Sequence, residues 1–456
     1  MSSYQRKYFG TDGIRGRANA GPLTPEFVVR LGQAAAEVFL ERRGKSREWP
    51  AVVIGKDTRQ SGDMLESAIS AGLNSRGVDV RLAGVLPTPG VAMLTRETGA
   101  AFGVVISASH NPFADNGIKF FGPDGYKLDD AFEEDIERHL EEPGVLDSEG
   151  AIGRTAPLEG AAERYVDFVR SSAGADPELL SGMTIALDAA NGASYQTSEA
   201  ILHSLGAKVL PFHHHPSGVN INEDCGCTHP TVIEEIVRKT GADVGVSHDG
   251  DADRVLLCDE TGSVLDGDEI MAIAATFMID EGTLTENTLV ATVMSNAGLD
   301  EAVKKAGGKV VRAGVGDRYV MEEMKARGYN FGGEQSGHFI FRDLNTTGDG
   351  IISAVQLLRI IRLTGKPLSE LRTVMSKFPQ AQRNVRVIRK PPLEELAIAG
   401  RLREIEASHG DSGRLLLRYS GTEPLLRILI EGREKAVIEE QADELAAAIS
   451  EEIGES

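Results

Sequence analysis

The sequence predicts an α/β protein built as three similar α/β domains with mixed sheets, followed by a smaller carboxyl-terminal α+β domain. Three observations predict it. A chain of 456 residues exceeds what one hydrophobic core usually serves. Short β-like runs alternate with helical stretches along most of the length. After Lys377 that alternation stops.

The alternating part contains one unit in three loose copies: an apolar strand, a loop of small and polar residues, a helix, and a Gly-x-x-Val entry into a second strand. The first copy runs from AVVIGKDTR at Ala51 to Val85, the second from TIALDAANG at Thr184 to Phe212, the third from TLVATVMSN at Thr288 to Val315. Their lengths differ, which speaks for divergent domains rather than a fixed-period solenoid. Beyond Lys377 come RNVRVIRK, Pro391-Pro392, an expected helix from Leu393 to His409, the strands RLLLRYSG and LLRILIEG, and a final helix. Boundaries near Pro157, Asp259 and Met375 divide the chain into 1–156, 157–259, 260–375 and 376–456. The acidic stretch from Ala131 to Glu142 is expected to be a helix with a solvated face.

Composition narrows the function. Lysine and arginine number 48 against 69 acidic residues, a formal charge of −21. Such a surface repels nucleic acid and anionic membranes, so neither is expected as a partner. An anionic substrate then needs a local basic cluster. The start MSSYQRKYFG has no apolar h-region, and no apolar run approaches the roughly 20 residues of a membrane span. Cys225, Cys227 and Cys258 are too few and too clustered for a disulfide framework. A cytoplasmic protein is expected.

Four constellations carry chemistry. Asp249, Asp251 and Asp253, followed by Arg254, are hard oxygen ligands suited to Mg²⁺. In a straight strand alternate carboxylates stand about 6.6 Å apart, too far to share an ion; Gly250 and Ala252 let the backbone curl. An EF-hand is excluded because Arg254 occupies the sixth position, where its sharp turn needs glycine. In VVISASHNPFADNGIKFF, Ser109 followed by His110 suggests a hydroxyl nucleophile, and Lys119 returns positive charge to the same loop. In RYSGTEPLLR, Arg418, Ser420, Gly421, Thr422 and Arg427 form a phosphate-binding pattern of hydroxyls, close N–H groups and guanidinium forks. In GGEQSGHF, Glu334 and Ser336 suit sugar hydroxyls, and His338 suits proton transfer or charge positioning. The run His213–His215 with Cys225, Cys227 and His229 has metal-ligand residue types. Its Cys-x-Cys spacing is not that of a standard zinc module, so buried or incidental thiols are expected.

Taken in order, FGTDGIRG, SASHNP, DGDADR, GEQSGH and RYSGTEP resemble the α-D-phosphohexomutases from Tyr8 to about Gly432. Within that family SASHNPFADNGIKFF, the GEQSGH loop and SGVNINEDCG are most similar to the bacterial-type phosphoglucosamine mutases. The resemblance implies four domains around a central cleft, the first three sharing one α/β fold. It implies that Ser109 is a phosphoserine, and that Asp249, Asp251, Asp253 and the serine phosphate hold one Mg²⁺. Glu334 and Ser336 would bind sugar hydroxyls, with Arg254 beside them as a further substrate contact. The Arg418–Thr422 loop with Arg427 would clamp the non-reacting phosphate, and Arg15 and Lys119 would line the catalytic end. Tyr419 stands where many members have proline, and the histidine run is unusual.

The implied reaction moves a phosphoryl group from Ser109 to a hexose phosphate and back, through a hexosamine or hexose 1,6-bisphosphate that also serves as activator. Glucosamine 6-phosphate and glucosamine 1-phosphate are the expected pair, in a monomer or homodimer. Glucose and mannose phosphates differ from them only at C2, and a phosphomannomutase/phosphoglucomutase is the nearest alternative. A sugar-phosphate phosphatase would use the same serine and metal but release inorganic phosphate. A non-catalytic sugar-phosphate sensor would need no metal triplet.

Overall fold

The computed structural model describes residues 6–43, 51–141, 152–410, 413–420 and 423–455. The chain groups into two compact units, one of 1–294 with 311–373, the other of 295–310 with 374–456. In the first unit the leading sheet has six strands in the order Ile14–Arg17, Asp115–Phe121, Phe102–Ile106, Ala51–Lys56, Asp79–Val85, Thr155–Pro157. Phe102–Ile106 runs parallel to Ala51–Lys56 and antiparallel to Asp115–Phe121, so the sheet is mixed. All five residues of this strand are buried, which is why FGVVI reads as an unbroken apolar run instead of alternating.

One face of that sheet packs against the helices Pro25–Arg43, Ser61–Asn74 and Asp130–Glu141, with the Phe39 and Phe102 rings stacked at 4.0 Å. The first two helices cross at glycine. A Cβ on Gly72 would lie 2.2 Å from the Val29 carbonyl oxygen and one on Gly32 2.6 Å from that of Ile69, so the backbones touch. The expected solvated face of the acidic helix does not hold throughout. Glu137 is fully buried, and its carboxylate accepts from the backbone N–H groups of Lys7, Tyr8 and Phe9 at 2.7–2.8 Å. Glu133 is buried and accepts from Arg6 at 2.6 Å. Backbone donors and an arginine from distant sequence satisfy charges that a helical wheel assigns to water. Glu142 lies outside the described residues.

Two further mixed sheets follow. The second runs Val264–Leu265, Val255–Cys258, Val244–His248, Thr184–Asp188, Lys208–Phe212; the third runs Lys309–Ala313, Thr288–Thr292, Phe331–Gly333, Phe339–Phe341. Each of the three repeated sequence units is a strand, a helix and a neighbouring strand, the helices being Ser61–Asn74, Thr197–Ser204 and Ala297–Lys305. Parallel pairing joins the two strands of the first unit and of the second. A short crossover helix is what parallel neighbours require.

The second unit contains a three-stranded antiparallel sheet in the order Gln380–Arg386, Leu425–Gly432, Gly413–Tyr419. Leu426, Ile428 and Ile430 share one face of its middle strand. They pack with Ile438, Ala442, Leu445, Ile449 and Ile453, spaced by three or four along the helix Lys435–Ile453. The helix expected from Leu393 to His409 is instead a 3₁₀ turn at Leu393–Glu395 and a helix at Ala399–His409. Leu396 interrupts it with an extended backbone while its side chain is buried in that core.

Candidate active site

The apolar strand Phe102–Ile106 delivers the SASHNP loop, and Ser109 adopts a left-handed backbone with φ 51°. A non-glycine residue there costs of order 1 kcal/mol and persists only where its surroundings hold it. The Ser109 N–H donates to Ser107 Oγ at 2.9 Å. Its carbonyl accepts from Arg59 Nη2 at 3.1 Å and from Asn222 Nδ2 at 2.9 Å. Oγ is left to donate to Asp249 Oδ2 at 2.6 Å, with His110 Nδ1 3.3 Å away.

The acidic loop follows the strand Val244–His248. One oxygen each of Asp249, Asp251 and Asp253 lies within 4.8 Å of the other two, and all three residues are buried. Ala252 turns left-handed at φ 56°, which produces the curl that convergence needs. Gly250 has a second duty: a Cβ there would stand 2.5 Å from the Ser109 carbonyl oxygen. Glycine between the first two aspartates thus admits the Ser109 loop. Asp251 Oδ2 accepts from Thr88 Oγ1 at 2.7 Å and Lys119 Nζ at 2.9 Å, while Asp251 Oδ1 and Asp253 Oδ1 are buried with no hydrogen-bond partner among the described residues. Burial, then Asp253 and Asp251, push the Asp249 carboxyl up to about 8. Burial opposes ionisation of Asp253 too, yet His338, Lys119 and Arg254 hold it well below the usual carboxylate range.

In front of these groups opens a cavity of about 680 Å³. Arg15, His110, Asp253, Arg254, Glu334, Ser336 and His338 line it; Ser109, Lys119, Asp249 and Asp251 are buried behind. In a chain of net charge −21, the wall balances Arg6, Arg15, Lys127, Arg254 and Arg318 against Asp12, Asp130, Asp253, Asp317 and Glu334. Asp12 pairs with Arg15, with Lys119 at 3.0 Å and with Lys127 at 2.6 Å. Glu334 Oε1 accepts from the Gly316 N–H at 3.0 Å, and Ser336 is exposed to the cavity. His338 is buried with Nδ1 3.7 Å from Asp253 and Nε2 3.4 Å from Asp317. Burial disfavours its charge, but Asp317 and Asp253 outweigh that and raise it to about 8. His110 moves the other way, lowered by burial and then by Arg254 and Arg15.

In the carboxyl-terminal unit Arg418 and Arg427 are direct partners on neighbouring antiparallel strands. Like charges directly opposite are destabilising unless an anion joins them. Arg427 Nη2 donates to Glu423 at 2.8 Å, while its Nε is buried without a hydrogen-bond partner among the described residues. Ser420 Oγ accepts from the Glu423 N–H at 3.2 Å, and Lys390 Nζ reaches the Ser420 carbonyl at 2.6 Å. Gly421 and Thr422 lie outside the described residues.

Several groups escaped the sequence reading. Asp57 and Arg59 form a fully buried pair after the strand Ala51–Lys56, and Asn222 and Thr88 steady Ser109 and Asp251. Asp12, Lys127 and Asp317 complete the charge network. A signal existed for the first pair: Lys56-Asp57-Thr58-Arg59 stands at the carboxyl end of a parallel strand, where α/β sheets place ligand-binding groups.

The comparisons agree along the whole chain. Four segments match the phosphoglucomutase/phosphomannomutase family: alpha/beta/alpha domain I over 6–144, domain II over 163–262, domain III over 266–378 and the C-terminal domain over 383–448. A phosphoglucosamine mutase of Pelobacter propionicus is 52% identical over 455 residues, covering 99% of each chain. One of Geotalea daltonii is 53% identical over 456 residues, again covering 99% of each. A crystal structure of a phosphoglucomutase/phosphomannomutase family protein from Burkholderia thailandensis superimposes with a TM-score of 0.79 over 97% of both chains at 21% identity, which speaks for the fold.

Proposed function

This chain belongs to the phosphoglucomutase/phosphomannomutase family, and on that premise we propose that Ser109 carries the phosphoryl group between the two ends of glucosamine phosphate. The chain is an enzyme, an isomerase of the phosphohexomutase class. Its activity is that of a phosphoglucosamine mutase, interconverting glucosamine 6-phosphate and glucosamine 1-phosphate. The observation that carries the mechanism is the 2.6 Å contact between Ser109 Oγ and Asp249, which sets the hydroxyl against the carboxylate triplet.

Mg²⁺ fits this triplet. Its donors are hard oxygens, and two of them, Asp251 Oδ1 and Asp253 Oδ1, are buried without a hydrogen-bond partner among the described residues. Asp249, Asp251 and Asp253, with the serine phosphate, would hold the ion; when bound it neutralises charge on the phosphoryl oxygens and on the Ser109 leaving oxygen.

In the first half-reaction the bond from Ser109 Oγ to phosphorus breaks, and the free hydroxyl of the sugar phosphate gains the phosphoryl group. A hexosamine 1,6-bisphosphate results, and the same compound in small amounts primes the serine. The hydroxyl proton passes to the serine side, where His110 Nδ1 is the neutral base within 3.3 Å of Oγ. After the bisphosphate turns, Ser109 Oγ takes the other phosphoryl group and the proton returns to the vacated sugar oxygen. His338, raised to about 8, keeps its proton at neutral pH and therefore positions charge instead of accepting a proton. Arg15 and Lys119 flank the transferring group, Arg254, Glu334 and Ser336 bind the sugar, and Arg418, Ser420, Gly421, Thr422 and Arg427 clamp the resting phosphate. A cytoplasmic location belongs to the same proposal; no described helix is long and apolar enough to cross a membrane.

The test offers the 1-phosphates of glucosamine, glucose and mannose side by side, measuring 6-phosphate and inorganic phosphate. Glucosamine 1-phosphate is expected to react fastest without phosphate release. A glucosamine rate below the other two overturns the substrate assignment, and phosphate release without isomer overturns the mutase reading.

A further inference from the structure

A second cluster of ligating side chains stands apart from the aspartate triplet. Asp188 ends the strand Thr184–Asp188, His213 follows the adjacent strand Lys208–Phe212, and Cys225 lies in the loop after it. One ligand atom from each lies within 4.8 Å of the other two. His214, His215, Cys227 and His229 do not join this set.

We propose that Asp188, His213 and Cys225 form a binding site for a zinc-class divalent ion, separate from the magnesium site and independent of the mutase reading. His213 Nδ1 stands 3.1 Å from Asp188 Oδ1. Nitrogen and oxygen ligands at zinc distances of about 2.0–2.1 Å stand about 3.3 Å apart around a tetrahedral ion. The observed pair is already at that spacing, and Sγ completes the set by closing modestly toward it. Asp188 is fully buried and is aimed by two backbone donors, Ala190 N–H at 3.0 Å and Gly226 N–H at 2.8 Å. Fixed outer contacts of this kind hold metal-binding carboxylates in place.

Cys225 provides the independent observation. Its side chain is fully buried, its Sγ accepts from Asn191 Nδ2 at 3.9 Å, and its own proton finds no acceptor among the described residues. Burial, then the charge of Asp188, push this thiol up to about 12, so it is inert as a free nucleophile. A zinc-class ion replaces that proton and forms the thiolate bond, while the released proton goes to solvent. Mixed oxygen, nitrogen and sulfur donors favour such an ion over Mg²⁺, so the two sites draw on different metals. The His213 side chain is 32% exposed, which leaves a side for water as fourth ligand.

The site also has a structural consequence. His213, Asn191 and Asn222 all hold left-handed backbones, at φ 45°, 48° and 58°. They are tied together by Asn191 N–H to the His213 carbonyl at 2.6 Å and Asn222 N–H to the Ala190 carbonyl at 2.9 Å. Asn222 is the residue that grips the Ser109 carbonyl. An ion at Asp188, His213 and Cys225 therefore braces the segment that steadies the nucleophile loop.

The experiment titrates Co²⁺ into the untagged full-length protein with excess Mg²⁺ present and reads thiolate-to-cobalt absorption. One equivalent is expected to produce the band. Cys225→Ser should abolish it, and Cys227→Ser should leave it intact. His213→Asn should weaken cobalt binding by roughly tenfold or more; asparagine tolerates the left-handed backbone at this position, so this variant remains informative if Cys225→Ser fails to fold. Zn²⁺ should raise the melting temperature of the wild type and not that of His213→Asn. No absorption band in the wild type, a band surviving Cys225→Ser, or full-strength binding by His213→Asn would overturn the site.

Discussion

The nucleophile region and the phosphate loop of the carboxyl-terminal unit solve opposite problems. Around Ser109 the backbone of the loop is buried and held, the carbonyl by Arg59 and Asn222 and the N–H by Ser107, while one oxygen of Asp251 is held by Thr88 and Lys119. The proposed phosphate loop instead sets Arg418 opposite Arg427 and leaves Arg427 Nε without a hydrogen-bond partner among the described residues. In the proposed mechanism the Ser109 hydroxyl is fixed in advance, because a reacting oxygen gains most from fixed geometry. The other region carries an internal repulsion that, under the proposed clamp role, an arriving phosphate would relieve whichever end of the sugar it sits on.

Substitutions break this contrast in graded ways. Ser109→Ala should lower kcat by about 10⁴-fold or more, because the covalent carrier is gone; phosphate-clamp variants should never approach that loss. Asp251→Asn should cost about 10³-fold in kcat and blunt the response to Mg²⁺, read as rate against metal concentration, with the fold intact by circular dichroism. His338 gives a pH test. Its pKa is raised from 6.5 to about 8 in the folded chain, so its contribution to stability is complete below 6.5 and lost as pH rises through about 8. In the presence of a chelator, denaturant melts across that window should show the wild type losing about 2 kcal/mol more than His338→Asn. Arg427→Lys should raise KM about tenfold with little change in kcat, since an ammonium cannot replace the bidentate fork.

The parts of the site that sequence disclosed are those whose chemistry is local. Asp249, Asp251 and Asp253 announce themselves by spacing, and Gly250 by standing between them. What Gly250 accommodates was not readable, because the Ser109 carbonyl arrives from a distant part of the chain, a loop that meets Asp249 across 140 residues of sequence. Asp57, Arg59 and Asn222 went unassigned for the same reason: Arg59, with Asp57 beside it, and Asn222 support the Ser109 loop from 50 and 113 residues away along the chain. Glu137 was misjudged because a helical wheel counts carboxylates as solvated, while the donors that bury this one come from residues 7–9. The fold was more legible than the site, since strand and helix alternation is a local property and the convergence of loops is not.

The central claim is that Ser109 holds the travelling phosphoryl group. Protein incubated with glucosamine 1,6-bisphosphate labelled in its phosphates, then digested and mapped by mass spectrometry, reads this directly. One labelled phosphate per chain is expected on the peptide containing Ser109, and unlabelled glucosamine 6-phosphate should chase it off into sugar bisphosphate. Full turnover with that peptide unmodified, or with the label on another residue, would contradict the account.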